Sequence, residues 1–214
     1  MDTYPITLHI SGKTAVVIGG GSVARRKIQR LLKSGAVVKV VSPDVCREVY
    51  ELHEQGQLEW QQKLFEPADL DGAFIIMAAS GNSEVNELVA SAAAPHQLVN
   101  IADDPHAGNF HVPASLNRGK LSISVATEGA SPILARKVRD EIADHFGHEF
   151  TEYMEFLETV RKKTVHELSL SSDLKKYVLE QAASNECRNS EVARQSLLFY
   201  LHLLSLVESS AHSV

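Results

Sequence analysis

The stretch Lys13-Thr14-Ala15-Val16-Val17-Ile18-Gly19-Gly20-Gly21-Ser22-Val23-Ala24 decides the fold. Its first half is a short apolar run rich in β-branched residues, which predicts a buried strand. The second half is a G-x-G-x-x-A turn made by Gly19, Gly21 and Ala24. In such a turn the first glycine permits the tight bend and the second lets backbone approach a pyrophosphate. The alanine allows close packing of helix on sheet, and the helix N-terminus faces the phosphate charge. A helical pattern follows from Val23 to Ser34, with Ile28, Leu31 and Leu32 on one face and Gly35 where a helix-ending glycine is expected. The motif is weak alone, but strand, turn and helix supply the context that makes it a nucleotide site.

Downstream the same alternation continues. Ala36-Val37-Val38-Lys39-Val40-Val41 reads as a second buried strand, stopped by Ser42-Pro43-Asp44, and a helical pattern then leads to Gly56. Strands are predicted at Leu58-Glu59-Trp60, Ala73 to Ala78 and Leu98 to Ile101, with a helix from Glu84 to Ala94. Repeated strand–helix–strand units imply a parallel sheet covered on both faces, an α/β fold of Rossmann type. After Gly108 the pattern becomes strand-like, at Phe110 to Val112 and Leu121 to Val125. From Ser131 it is helical to the end: Leu134, Val138, Ile142 and Phe146 recur every four residues, and Pro132 suits a first helical turn. Phe146-Gly147-His148 reads as a helix stop. The expected organisation is a dinucleotide-binding domain over residues 1–109, a strand-and-helix segment over 110–147 and a small all-helical domain over 148–214.

Composition narrows the class of function. The 214 residues are 44% apolar and 22% charged, with a net charge of −6, the profile of a globular protein with no general affinity for nucleic acid. No cationic segment precedes an apolar stretch at the N-terminus, and no long apolar run occurs, so neither a secretory signal nor a membrane span is expected. Cys46 and Cys187 stand far apart in no ligand spacing, which suits a reducing cytoplasm and argues against a zinc module.

Candidate site residues cluster where the predicted strands end. Asp44 can accept from a ribose hydroxyl, favouring NAD over NADP because no arginine cluster stands beside it, although Arg47 is near; a helix cap after a proline turn is the equal alternative. In Ala78-Ala79-Ser80-Gly81-Asn82, the small residues let a dinucleotide lie over the sheet edge, and Asn82 fits the N-cap of the next helix. The strand at Leu98 to Ile101 runs into Ala102-Asp103-Asp104-Pro105. Asp104 before Pro105 suits a turn, which leaves Asp103 as the carboxylate at a strand's carboxyl end, placed to act as general base or to hold a cationic pyrrole-type nitrogen.

These residues fall in a longer pattern. Pro5-Ile6, Val17-Ile18-Gly19-Gly20-Gly21, Ala24-Arg25-Arg26-Lys27, Val99-Asn100-Ile101-Ala102-Asp103, Phe110, Pro113 and Gly129-Ala130-Ser131-Pro132 follow one another in the order and spacing of the precorrin-2 dehydrogenase family. The chain resembles that family, which includes the N-terminal half of bifunctional siroheme synthases, over roughly residues 4–147. The resemblance implies oxidation of precorrin-2 to sirohydrochlorin with NAD accepting hydride, and a cytoplasmic homodimer joined through the middle segment. It places the essential aspartate on Asp103 and dinucleotide contacts on Ser22, Val23, Pro43 and Asp44, beside Gly19 and Gly21. Where the family shows a serine–glycine pair before its Gly-x-Ser-Pro turn, this chain has Thr127-Glu128. No methyltransferase domain follows, so under this reading the chain is not expected to make precorrin-2.

Precorrin-2 is a polycarboxylate, and an acidic protein must offset it locally. Arg118 and Lys120, with the helix bearing Arg136, Lys137 and Arg139, are candidates, as is Thr127; each basic residue can equally be part of a solvated face. His145 and His148 with Glu149 could present imidazoles together, but Gly147 should break the helix between them, so no metal site is expected. Two other readings stay open: an enzyme that also inserts iron into sirohydrochlorin, and a dinucleotide-sensing module without turnover.

Overall fold

A computed structural model describes residues 3–104 and 106–211, with side chains of the last helix described as far as Leu206; Pro105, expected in a turn, and the final three residues lie outside it. The chain divides between Val112 and Pro113 into two compact units.

The first unit is built on a five-stranded sheet. Strands β1 (Thr14–Ile18), β2 (Val37–Val41), β3 (Glu59–Gln61), β4 (Ile75–Ala78) and β5 (Leu98–Ile101) lie in the order β3-β2-β1-β4-β5, and every pairing is parallel. Central β1 shows why its sequence is apolar without alternation. Ala15 and Val17 enter one core cluster, while Val16 and Ile18 enter the cluster on the opposite face, as expected of a strand covered on both sides.

Helix α1 (Ser22–Lys33) buries Ala24, Ile28 and Leu31 against the first of these clusters. It stops where the backbone turns left-handed at Gly35, φ +78°. There Ala36 N donates to Leu31 O at 3.1 Å and Gly35 N to Leu32 O at 2.9 Å, the paired bonds of a Schellman ending. Helix α2 (Arg47–Glu54) packs Val49 into the same face. Helix α3 (Ser83–Ala92) packs Val89 into the other. The connections reverse direction between β1 and β4, so the crevice at their carboxyl ends is the topological switch point where ligands of open α/β sheets bind.

In the second unit β6 (Ala114–Arg118) and β7 (Leu121–Val125) form an antiparallel hairpin. Gly119, at φ +56°, opens its two-residue turn. The first strand of the hairpin is thus displaced from its expected place: Phe110 to Val112 is not a strand, and pairing begins at Ala114. The Phe110 carbonyl instead accepts from the Asn100 side chain at 3.0 Å, and Pro113 has no N–H to give a ladder.

Helix α4 (Pro132–His145) starts at Ser131, whose hydroxyl accepts from Leu134 N at 3.1 Å, and Pro132 occupies its first turn. Helices α5 (Glu149–Lys162), α6 (Ser172–Ala182), α7 (Asn185–Asn189) and α8 (Glu191–Ala211) complete the unit. Their core gathers Phe150, Tyr153, Phe156, Val160, Val178 and Leu201. Among the described residues no helix is long and apolar enough to cross a membrane.

Candidate dinucleotide and acid site

Three loops meet at the carboxyl ends of β1, β2 and β4. Gly19 N donates to Val41 O at 3.0 Å, Cys46 N to Gly20 O at 2.8 Å, and Ala79 N to Ile18 O at 2.8 Å. The approach is so close that side chains are excluded. A Cβ on Gly19, whose φ is +114°, would stand 2.4 Å from Ala79 O, and one on Gly20 would stand 2.2 Å from Asp44 O. Gly21 differs: nothing lies within 4 Å of its Cβ position. It is the N-cap of α1 and makes no side-chain cap. The first amides of α1, at exposed Ser22 and Val23, therefore have no intrahelical acceptor and face open space beside a backbone without bulk. That cradle fits a pyrophosphate and would be filled by any side chain at Gly21.

Pro43 and Asp44 are exposed at the end of β2. Asp44 does not cap α2, whose N-cap is Cys46. One of its oxygens accepts from Val45 N at 2.9 Å, which holds the carboxylate at the loop. The neighbouring arginines are engaged elsewhere: Arg47 pairs with Glu51 at 2.7 Å and Arg25 with Glu48 at 2.5 Å. Glu51 and Arg47's own hydrogen bond to it hold that guanidinium above its ordinary range. Trp60 braces the same loop by donating to Ser42 O at 3.0 Å. Asn82 caps α3, accepting from Glu84 N at 2.9 Å.

Asp103 lies exposed just beyond β5, and its partner is a residue the sequence reading passed over. Asn86, on α3 and only 1% exposed, donates to Asp103 Oδ1 at 2.9 Å and to Ser80 O at 3.2 Å. Its own oxygen accepts from Ser80 N at 3.2 Å. One buried amide thus ties the loop after β4 to the carboxylate after β5. The available signal was spacing: Asn86 stands three residues before core-facing Val89, so it had to be buried and bonded. Replacing Asn86 with alanine strands these groups and is expected to lower stability by about 1–3 kcal/mol. Urea unfolding reads that cost, and a steady-state assay should show turnover falling with it; an unchanged midpoint would mean the amide carries nothing.

Deeper on β5, Asn100 accepts from the ammonium of Lys27 on α1 while donating to the Phe110 carbonyl. Burial first, then the neighbouring Arg30 and Arg26, hold the Lys27 pKa below the ordinary lysine value.

Comparison with known proteins agrees with this geometry. A family model described as "Putative NAD(P)-binding" matches residues 6–114, and one described as "Sirohaem biosynthesis protein central" matches residues 118–145. Precorrin-2 dehydrogenase of Priestia megaterium is 33% identical over 195 residues, covering 91% of this chain and 96% of that protein. A solved structure named SirC, precorrin-2 dehydrogenase, superposes with a TM-score of 0.84 at 32% identity, over 94% of this chain and 99% of the other. The chain belongs to the precorrin-2 dehydrogenase family. Siroheme synthase of Chromobacterium violaceum is 40% identical over 140 residues, 65% of this chain but 30% of that longer protein.

The remaining candidates of this family member lie in the second unit. Arg118 is half-buried and donates to Phe146 O at 2.9 Å, and Lys120 pairs with Glu158. Arg136 is exposed on the first turns of α4. Thr127 Oγ1 accepts from Ser131 N at 3.2 Å, so it holds the loop that starts α4. Glu128 sits at φ +50° and Gly129 at φ +85°. The family's glycine at the first of these two positions thus has a backbone reason, since left-handed φ is costly for a residue with a Cβ. His145 ends α4, with Nδ1 3.0 Å from Glu141 O, and Gly147 separates it from His148. Among the described residues no three His, Cys, Asp or Glu side chains form a group able to hold a metal.

Proposed function

We propose that this chain oxidises precorrin-2 to sirohydrochlorin with NAD as acceptor, a step of siroheme biosynthesis. The observation that carries the proposal is the pairing, in one sheet crevice, of an open glycine cradle at Gly21 with a carboxylate, Asp103, anchored by a buried amide. Bound NAD supplies a hydride acceptor. The chain supplies the rest. Gly19 and Gly21 let backbone come close, and the amides of Ser22 and Val23 hold the pyrophosphate. Pro43 and Asp44 border the adenosine ribose, with Asp44 accepting from a hydroxyl. Arg25 and Arg47 are paired to glutamates, so among the described residues neither of these guanidiniums beside the loop is free for a 2′-phosphate, which favours NAD over NADP. Asp103 takes the proton lost as the macrocycle gives up hydride, or positions that carbon beside the acceptor.

A cytoplasmic homodimer joined through residues 110–147 belongs to the same reading. So does contact between substrate carboxylates and Thr127 or Arg136; Arg118 and Lys120 would join only by exchanging their present partners. The experiment is an initial-rate assay under anaerobic conditions with precorrin-2 and either NAD or NADP. Rate with NAD well above that with NADP is expected. Tight NAD binding without any turnover would instead make the chain a dinucleotide sensor.

A further inference from the structure

The face of α1 turned toward β4 and the segment after β5 borders a groove of about 630 Å³, a size typical of small-molecule sites. One wall is cationic: Arg26, Lys27, Arg30 and Lys33 all line it. The floor and opposite wall are apolar, made by Met77, Phe110 and Val112 with Leu8 and Ile10 from the segment before β1. Leu8 and Val112 are 38% and 41% exposed, so the apolar surface reaches solvent.

The wall has an unbalanced charge. Among the described residues none of its cations forms an ion pair, whereas Arg25, on the same helix, pairs with Glu48. Lys27 has only the neutral amide oxygen of Asn100. Like charges crowded on a concave, partly apolar surface repel, and an anion seated there relieves the repulsion of all of them together. Burial is the main cause of the lowered basicity of Lys27, and the like charges of Arg30 and Arg26 add to it. A simple inorganic anion would satisfy the wall and leave the floor wet. The groove matches a ligand with a broad apolar body and several carboxylates at its rim.

We propose that this groove binds the tetrapyrrole, its carboxylate side chains against Arg26, Arg30 and Lys33 and a macrocycle face on the Phe110 side. The assignment rests on the precorrin-2 reading above. It also fits the position of the acid: Asn100, which lies on β5 and holds Lys27, precedes Asp103, just past the strand end, by three residues, at most about 10 Å of chain.

The test uses the full chain and sirohydrochlorin as the probe, titrated without NAD and followed by the absorbance of the macrocycle. Arg26, Arg30 and Lys33 are exposed, so changing them should spare the fold. Arg30→Glu is expected to weaken binding by at least about tenfold, and Arg26→Glu with Arg30→Glu by more. Arg30→Lys, which keeps the charge, should retain most of the affinity. Precorrin-2 KM should rise in the glutamate variants while NAD affinity holds. Lys176→Glu, a matching charge change on α6, should leave binding intact. Unaltered sirohydrochlorin affinity in the double variant, with wild type binding well, overturns the assignment. A changed monomer–dimer balance with unaltered affinity overturns it too, and makes the groove a contact between copies. A wild-type chain that neither binds sirohydrochlorin nor turns over precorrin-2 removes the substrate reading itself.

Discussion

Asp103→Asn is expected to lower turnover of precorrin-2 by about a hundred- to ten-thousand-fold, the range for loss of a positioned acid–base group. The substitution is chosen to preserve shape. The Asn86 amide donates to Asp103 Oδ1, and an asparagine oxygen can accept that bond in the same place. The loop after β5 should therefore keep its course, and the variant should unfold at nearly the wild-type urea concentration. NAD affinity should also survive, because the cradle is made by the turn after β1 and the start of α1. Loss of turnover with stability and NAD binding preserved assigns chemistry to the carboxylate. A variant that turns over at the wild-type rate would show that Asp103 is not needed, and the site would have to be sought elsewhere in the fold.

The glycines of the first turn should separate into two classes. Gly20→Ala places a methyl 2.2 Å from Asp44 O and 2.7 Å from Val45 Cα. Both obstacles are backbone, held by the Cys46 N to Gly20 O bond, so neither can swing aside as a side-chain tip would. A cost of about 3 kcal/mol or more is expected, at or beyond the upper end of ordinary overpacking. Gly19→Ala meets Ala79 O at 2.4 Å and adds left-handed strain at φ +114°, so it belongs with Gly20. Gly21→Ala meets nothing within 4 Å, and its φ of −82° is ordinary for alanine. Its stability should match or slightly exceed wild type, yet NAD should bind about tenfold more weakly or worse, because the methyl occupies the pyrophosphate approach. Urea unfolding and NAD titration of the three variants distinguish the classes. Equal NAD affinity in stable Gly21→Ala would mean the cofactor does not pass over this turn.

The parallel sheet was legible in the sequence because its strands are buried on both faces, which leaves apolar runs such as Ala15 to Ile18 that glycine and proline then punctuate. The glycine cradle was legible for a related reason: close backbone approach demands absence of side chains, and absence is visible in a sequence. Where partners come from afar, the reading was weaker. Asp44 could be a ribose ligand or a helix cap on local grounds, and only the fold gives the cap to Cys46. Phe110 to Val112 alternates like a strand, but the carbonyl of Phe110 is taken by Asn100, ten residues earlier in the chain. Asn86 and Asp103 are seventeen residues apart, and nothing in either local pattern joins them. The cations of α1 carry no local signal of a site; the groove beside them exists only because Leu8, Met77 and Phe110 converge there from three segments.

The decisive measurement is the stoichiometry of the reaction: NADH formed against sirohydrochlorin formed, from precorrin-2 and NAD, without oxygen. Equal amounts of the two products are expected, with no sirohydrochlorin beyond the spontaneous background when NAD is withheld. Sirohydrochlorin produced at the same rate without NAD, or NADH failing to appear in step with it, would contradict a hydride transfer at this site.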